Sequence, residues 1–183
     1  MTAISNSRIL FFEHVQLVPR LETTTLINAP LARCFDLARS VEVHLAGNVH
    51  CGESAVATAG VTSGLVSKGQ RVTWRARHFG VWQNLTSEIT AMDPPAYFQD
   101  RMIKGPFRAM EHDHYFRELP GGETEMKDVF RVTAPIPLLG RLVELAFLES
   151  YMRKLLDERN DAIKSIAESA DWLSYLAIER SLR

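Results

Sequence analysis

At 183 residues the chain has room for one domain with a sizeable core, and 46% hydrophobic against 23% charged residues excludes a disordered composition. A net charge of −1 leaves no broad basic field, so specific nucleic-acid binding is not expected. Two cysteines, Cys34 and Cys51, allow at most one disulfide and cannot build a cysteine-rich zinc site alone; they read as reduced thiols.

No apolar run reaches the roughly 20 residues of a membrane span. Ile9-Leu10-Phe11-Phe12 meets Glu13 at once, which is too short for a signal peptide, so a cytoplasmic location is expected. Residues 1–20 form a leader without clear period, in which Ile9 to Val18 could make a short strand. Leu21 to Ile27 (LETTTLI) is threonine-rich and predicts a strand, closed by Asn28-Ala29-Pro30. Pro30 suits the start of a helix, and Leu31, Phe35, Leu37 and Ala38 give a short one, followed by a second ending near Gly47. Weaker signals predict short strands at Val56 to Val61 and Leu65 to Ser67, divided by glycines.

From Arg71 the pattern sharpens. Arg71, Thr73, Arg75 and Arg77 alternate with Val72, Trp74, Ala76 and His78, which puts the arginines in water and turns Trp74 and His78 inward. A two-residue turn at Gly80-Val81 would pair Ala76 with Leu85 and Val72 with Ile89 inside, and Arg75 with Thr86 outside. It would also leave Phe79 and Trp82 together at the outer tip. Asp93-Pro94-Pro95 turns the chain into a strand from Tyr97 to Ile103, broken by Gly105-Pro106. Phe107 to Leu119 alternates again, with Met110, His112, His114 and Phe116 on one face and Glu111, Asp113, Tyr115 and Arg117 on the other. In Glu123 to Val132 the inner set is Met126, Asp128, Phe130 and Val132. A three-residue Pro120-Gly121-Gly122 loop keeps the faces in phase, pairing Phe116 with Met126 and His114 with Asp128; a two-residue loop would break parity.

Leu138 to Ser169 follows as one long helix. Leu145, Leu148, Met152, Leu155, Leu156, Ile163 and Ile166 recur at helical spacing, after Pro135 and Pro137 end the preceding segment. It would run roughly 45 Å. Such a stripe needs a partner layer, and the strands supply a sheet. Trp172, Leu173, Leu176 and Ile178 carry apolar character beyond Ser169, in an amphipathic extension over 170–183. One helix to Leu182 would reach roughly 65 Å, too long for a small domain to cover. The extension either folds back after a bend near Ser169 or packs against a second copy; a two-fold homodimer is the expectation.

The order of one strand, two short helices, a run of antiparallel strands and a long C-terminal helix is carried by LETTTLINAPLARCFDL, VTWRARHFG, GPFRAMEHDHYF and PLLGRLVELAFLESYMRKLLDERN. Over about Arg20 to Ser169 it resembles the START-related, birch-pollen-allergen-like (SRPBCC) superfamily, most closely its bacterial polyketide cyclase/dehydrase-like members. The resemblance implies an α+β helix-grip fold in residues 21–169: a curved antiparallel sheet gripping the C-terminal helix, with an apolar cavity between them. The superfamily has no universal catalytic motif, so no residue set carries over.

The inner face supplies the candidates. Trp74, His78, His112, His114, Phe116, Asp128, Phe130, Met152 and Leu156 are expected around the cavity, apolar walls with a few orienting polar groups. Asp128 beside His114 could set an imidazole tautomer and raise its basicity, which makes His112, His114 and Asp128 candidates for acid–base chemistry. The plainer account of the same pair is a buried, mutually satisfied polar contact. His112-x-His114 with a carboxylate could also hold a metal, but no fourth ligand is evident, so neither a metal nor another cofactor is assigned. His44, His50 and Cys51 follow no zinc spacing, and phosphate-loop, nucleophile-elbow and Rossmann signatures are absent. Arg71, Arg75 and Arg77, balanced by Glu88, read as a solvated strand face. The favoured function is binding of a hydrophobic small molecule or lipid. The alternative is a cyclase or dehydratase acting on a polyketide-like substrate through His112, His114 and Asp128.

Overall fold

The computed structural model describes residues 20–49, 52–56, 58, 60–78, 80–133 and 141–177, with side chains of the long helix described from 148 onward. The leader through 19, Cys51, Phe79 and the first residues of the expected long helix lie outside them. Seven strands form one antiparallel sheet: β1 (Arg20–Ile27), β2 (Ser54–Ala55), β3 (Arg71–His78), β4 (Val81–Asp93), β5 (Tyr97–Lys104), β6 (Ala109–Glu118) and β7 (Thr124–Thr133), in the order β1-β7-β6-β5-β4-β3-β2. Helices α1 (Leu31–Ala38) and α2 (Val41–Gly47) follow β1, and α3 (Arg141–Glu168) crosses the inner face of the sheet before α4 (Trp172–Ala177).

Local chemistry accounts for these elements. In β1, Leu21 and Ile27 are buried while Glu22 pairs outward with Lys127 at 2.7 Å. Pro30 stands at the N-cap of α1, whose buried residues are Cys34, Phe35, Leu37 and Ala38. Ser40 caps α2 by accepting from the Val43 N–H at 3.4 Å. Phe35 meets Phe98 and Phe116 edge-on at 5.7 and 5.5 Å, joining α1 to the sheet. In α3 the inward positions Leu156, Arg159, Asn160, Ile163 and Ala167 fall on one helical face. Two of those five are polar.

The β6–β7 hairpin has the expected register: Phe116 pairs with Met126 and His114 with Asp128, and the Leu119 N–H closes the loop on the Glu123 carbonyl at 2.8 Å. The β3–β4 hairpin differs. Trp74 pairs with Leu85, Ala76 with Gln83 and Arg75 with Asn84, a shift of two residues from the expected pairing. His78 pairs with Val81, so Gly80 is the second residue of the connection and carries its positive φ of 81° there. A two-residue slip leaves every side chain on its face, which is why alternation could not detect it. The expected strand at Leu65–Ser67 is also corrected, and that at Val56–Val61 includes Ala57 and Ala59, which lie outside the described residues. Strand pairing occurs at Ser54–Ala55, while Leu65 makes a lone bridge to Ser40. At Gly60 the φ is 95°, and a Cβ would lie 1.8 Å from the Arg71 carbonyl oxygen, so the chain passes Arg71 at a distance only glycine permits.

Candidate functional site

Between α3 and the inner face of the sheet lies a cavity of about 410 Å³, within the range of small-molecule sites. Trp74, Phe130, Met152 and Leu156 contribute apolar wall, and His78 and His112 contribute polar edges. The other three expected lining residues do not reach it. His114 is stacked under Phe98 at 4.1 Å, Phe116 packs on Phe35, and Asp128 lies fully buried under Asn160. They share the inward face of their strands, but α1 and the C-terminal half of α3 rest directly on that end of the sheet. Inward orientation and access to the cavity are separate properties.

His112, His114, Asp100 and Asp128 form one polar cluster. His112 Nε2 donates to Asp128 Oδ1 at 2.9 Å, so the bond to Asp128 comes from His112 rather than from its cross-strand partner. His114 Nε2 lies 3.2 Å from Asp100 Oδ2. His114 Nδ1 is 2.7 Å from Asp128 Oδ1 but out of line for a hydrogen bond. His112 Nδ1 stands 3.9 Å from Asp100 Oδ2. Asn160 Nδ2 donates to the second Asp128 oxygen at 2.8 Å and to Thr23 Oγ1 at 3.1 Å. Of these residues only His112 and Asp100 line the cavity.

The electrostatics keep the carboxylates charged and one imidazole neutral. Burial, reinforced by the neighbouring His114 imidazole, pushes His112 down to about 4 against the pull of Asp128. Burial would raise Asp128, but the His112 hydrogen bond and the adjacent His114 imidazole outweigh it and hold the carboxyl well below its usual range. Burial likewise opposes ionisation of Asp100, and His114, His112 and Arg159 overcome it.

A second polar group lines the same cavity. His44 stacks on Trp74 at 3.9 Å, and its Nε2 lies 3.1 Å from Glu53 Oε2 and 3.2 Å from Asn48 Nδ2. His78 Nδ1 is within 2.6 Å of the Tyr151 hydroxyl. Arg159 is buried at the cavity wall, where its terminal NH2 donates to the Ala38 carbonyl at 2.9 Å and its Nε finds no partner among the described residues.

Comparison with solved structures gives the architecture its place. The Zhui aromatase/cyclase from a Streptomyces species superposes with a TM-score of 0.65 at 14% identity, over 91% of this chain and 96% of that one. A START superfamily protein from Mycobacterium smegmatis gives 0.59 at 13%, over 80% and 98%. Ara h 8.0201 gives 0.54 at 14%, over 81% and 99%. The chain has the helix-grip fold of these structures. No protein-family model matches the sequence, and comparison with curated proteins finds no match.

Within the helix-grip frame, Asn48, Glu53, Tyr151, Arg159 and Asn160 are polar residues around the cavity or its buried cluster that sequence reading passed over. Two of them left a signal. Arg159 and Asn160 interrupt an apolar stripe that runs from Leu156 to Ile163, where helical spacing calls for a hydrophobic residue. Glu53 and Asn48 left none, because they reach the cavity from the segment between α2 and β3, which has no readable period. Among the outward residues of β6, Asp113 is buried after all, accepting from Tyr97, Gln99 and Arg131 on the far face of the sheet.

Proposed function

We propose that the protein takes up a hydrophobic small molecule in the helix-grip cavity, with the apolar body against Trp74, Phe130 and Met152. The polar end of the guest lies toward His112, Asp100 and Arg159. The observation carrying this reading is the cavity itself: about 410 Å³, mostly apolar wall, and a few polar side chains gathered within it. Fatty acyl chains and flat aromatics with an oxygen at one end have that polarity. Arg159 brings a positive charge to the same wall.

A second reading has one specific observation in its favour. His112 both lines the cavity and is held neutral beside an ionised Asp128, so it can accept a proton from a bound molecule. That is the requirement for a cyclase or dehydratase acting on a polyketide-like substrate, and one structural neighbour bears the name aromatase/cyclase. The buried positions of His114 and Asp128 leave them to orient His112 rather than touch a substrate. Binding needs less of the site and is favoured.

The test is uptake of an environment-sensitive fluorophore such as ANS, with displacement by fatty acids or flat aromatics. Met152→Trp, which fills the cavity wall, is expected to lower uptake at least tenfold without changing the circular dichroism spectrum. No uptake by the wild type, or uptake indifferent to Met152→Trp, overturns the cavity reading. Chromatography with mass spectrometry of a polyketide-like ligand recovered from the protein separates the two functions: a binding protein returns it unchanged, a dehydratase lighter by one water, and a cyclase as an isomer of equal mass and different retention.

A further inference from the structure

Each imidazole of the cluster directs one nitrogen at Asp128 and the other at Asp100. A neutral imidazole has one proton to place. Asp128 is fully buried and ionised, an acceptor that requires donors, and His112 Nε2 supplies one at 2.9 Å. His114 Nδ1 stands 2.7 Å from the same oxygen but out of line, while its Nε2 is hydrogen-bonded to Asp100 Oδ2 at 3.2 Å, so an ion bound there would take the place of that bridging proton and leave the His114 proton on Nδ1, facing Asp128. With both protons turned to Asp128, the lone pairs of His112 Nδ1 and His114 Nε2 converge with the carboxylate of Asp100. Three electron-pair donors then face one another, and a cation between them removes the repulsion.

We propose that Asp100, His112 and His114 bind a divalent first-row transition ion such as Zn²⁺, with Asp128 as the shared carboxylate behind both imidazoles. The three donor atoms lie within 4.8 Å of one another. A tetrahedral ion about 2.0–2.1 Å from each donor sets them about 3.3 Å apart, and the observed separations from Asp100 Oδ2, 3.2 and 3.9 Å, bracket that spacing. Ligating histidines commonly give the opposite N–H to a carboxylate that fixes tautomer and ring orientation; Asp128 stands in that place for both, itself held by Asn160. Two imidazoles and one carboxylate suit transition ions rather than Mg²⁺ or Ca²⁺. The charge balance also accommodates a cation. Two carboxylates, Asp100 and Asp128, share the cluster, and one guanidinium, that of the buried Arg159, stands near them. Asp100 and His112 line the cavity, which provides an entry path and leaves the fourth position of the ion open toward a guest. Asp100, the carboxylate of the set, comes from β5, the strand paired with β6, where it is the register partner of His112.

The test uses the ions alone and no organic ligand, so its failure leaves the cavity reading standing. Tag-free, full-length protein treated with chelator and dialysed is titrated with Zn²⁺ by calorimetry and with Co²⁺ by visible absorption. One ion per chain is expected, with d–d bands of a four- or five-coordinate site. Asp100→Asn removes one ligand charge at a residue partly open to the cavity and is expected to weaken binding at least a hundredfold while the circular dichroism spectrum stays that of the folded protein. Asp128→Asn, which unsettles the tautomers without removing a ligand, is expected to weaken it about 10–100-fold. No stoichiometric binding by the folded wild type, or equal affinity in Asp100→Asn, overturns the site. If Asp128→Asn does not fold, Asp100→Asn alone decides.

Discussion

Glu53 has a side chain only 10% exposed, beside His44 and against the wall of the cavity. Burial pushes its carboxyl up, but the charge His44 carries when protonated, with the polar groups of His44 and Asn48 beside it, more than offsets that and holds it below the usual range. A carboxyl depressed in the folded state binds its proton more readily in the unfolded chain. Its contribution is therefore fully present above the unfolded value near 4.5 and is lost as pH falls below it. Urea denaturation between pH 6 and 3 is expected to show wild type losing more stability than Glu53→Gln, the difference steepening by at most about 1.4 kcal/mol per pH unit. Equal slopes would mean that Glu53 is solvated like an ordinary surface carboxylate. The neighbouring contact has a different basis: His44 stacked on Trp74 at 3.9 Å holds α2 to β3 through ring surfaces.

At the scale of elements, the approach of α2 to α3 depends on one residue without a side chain. A Cβ on Gly47 would lie 2.9 Å from the Arg159 Cα and 3.5 Å from the Ala162 Cβ. Gly47→Ala gains helix propensity of up to about 1 kcal/mol. Overpacking against a neighbouring backbone costs about 1–3 kcal/mol, and Gly47 is the last residue of its helix, where propensity counts least. The clash wins, so the variant is expected to have a lower urea midpoint with an unchanged m-value. Ligand uptake should weaken as well, since α2 carries His44 and α3 carries Arg159 into the same cavity. An unchanged midpoint would show that the two helices can separate freely. The sheet presents the complementary case. Pairing in β6–β7 followed from parity and a glycine loop, whereas β3–β4 slipped by two residues without moving any side chain to the other face.

For the molecule as a whole, the described part of the C-terminal extension turns back on its own domain. After Glu168 the chain bends, and Trp172, Tyr175 and Leu176 pack against the cluster around α1, with the Arg33 guanidinium 4.2 Å above the Trp172 ring. Among the described residues of the extension, Leu173 remains 57% exposed and is available to a second copy. Deleting 170–183 is expected to lower stability by about 2–3 kcal/mol from the apolar surface uncovered on α1. Light scattering of both proteins tests the expected homodimer: a wild-type monomer refutes it, and a dimer that survives the deletion is held elsewhere. The sequence by itself determined the helix-grip order of elements, the inward faces of β3, β6 and β7, and the pairing of His114 with Asp128. Those follow from periods of two and 3.6 and from loop parity, all of them properties of adjacent residues. Only the tertiary structure decided that His112 reaches the cavity while His114 and Asp128 do not, that Asp100 faces both imidazoles, and that Arg159 and Asn160 complete the polar set. Those depend on which end of the sheet α1 and α3 cover, and so on contacts between residues far apart in the chain, which no local period records.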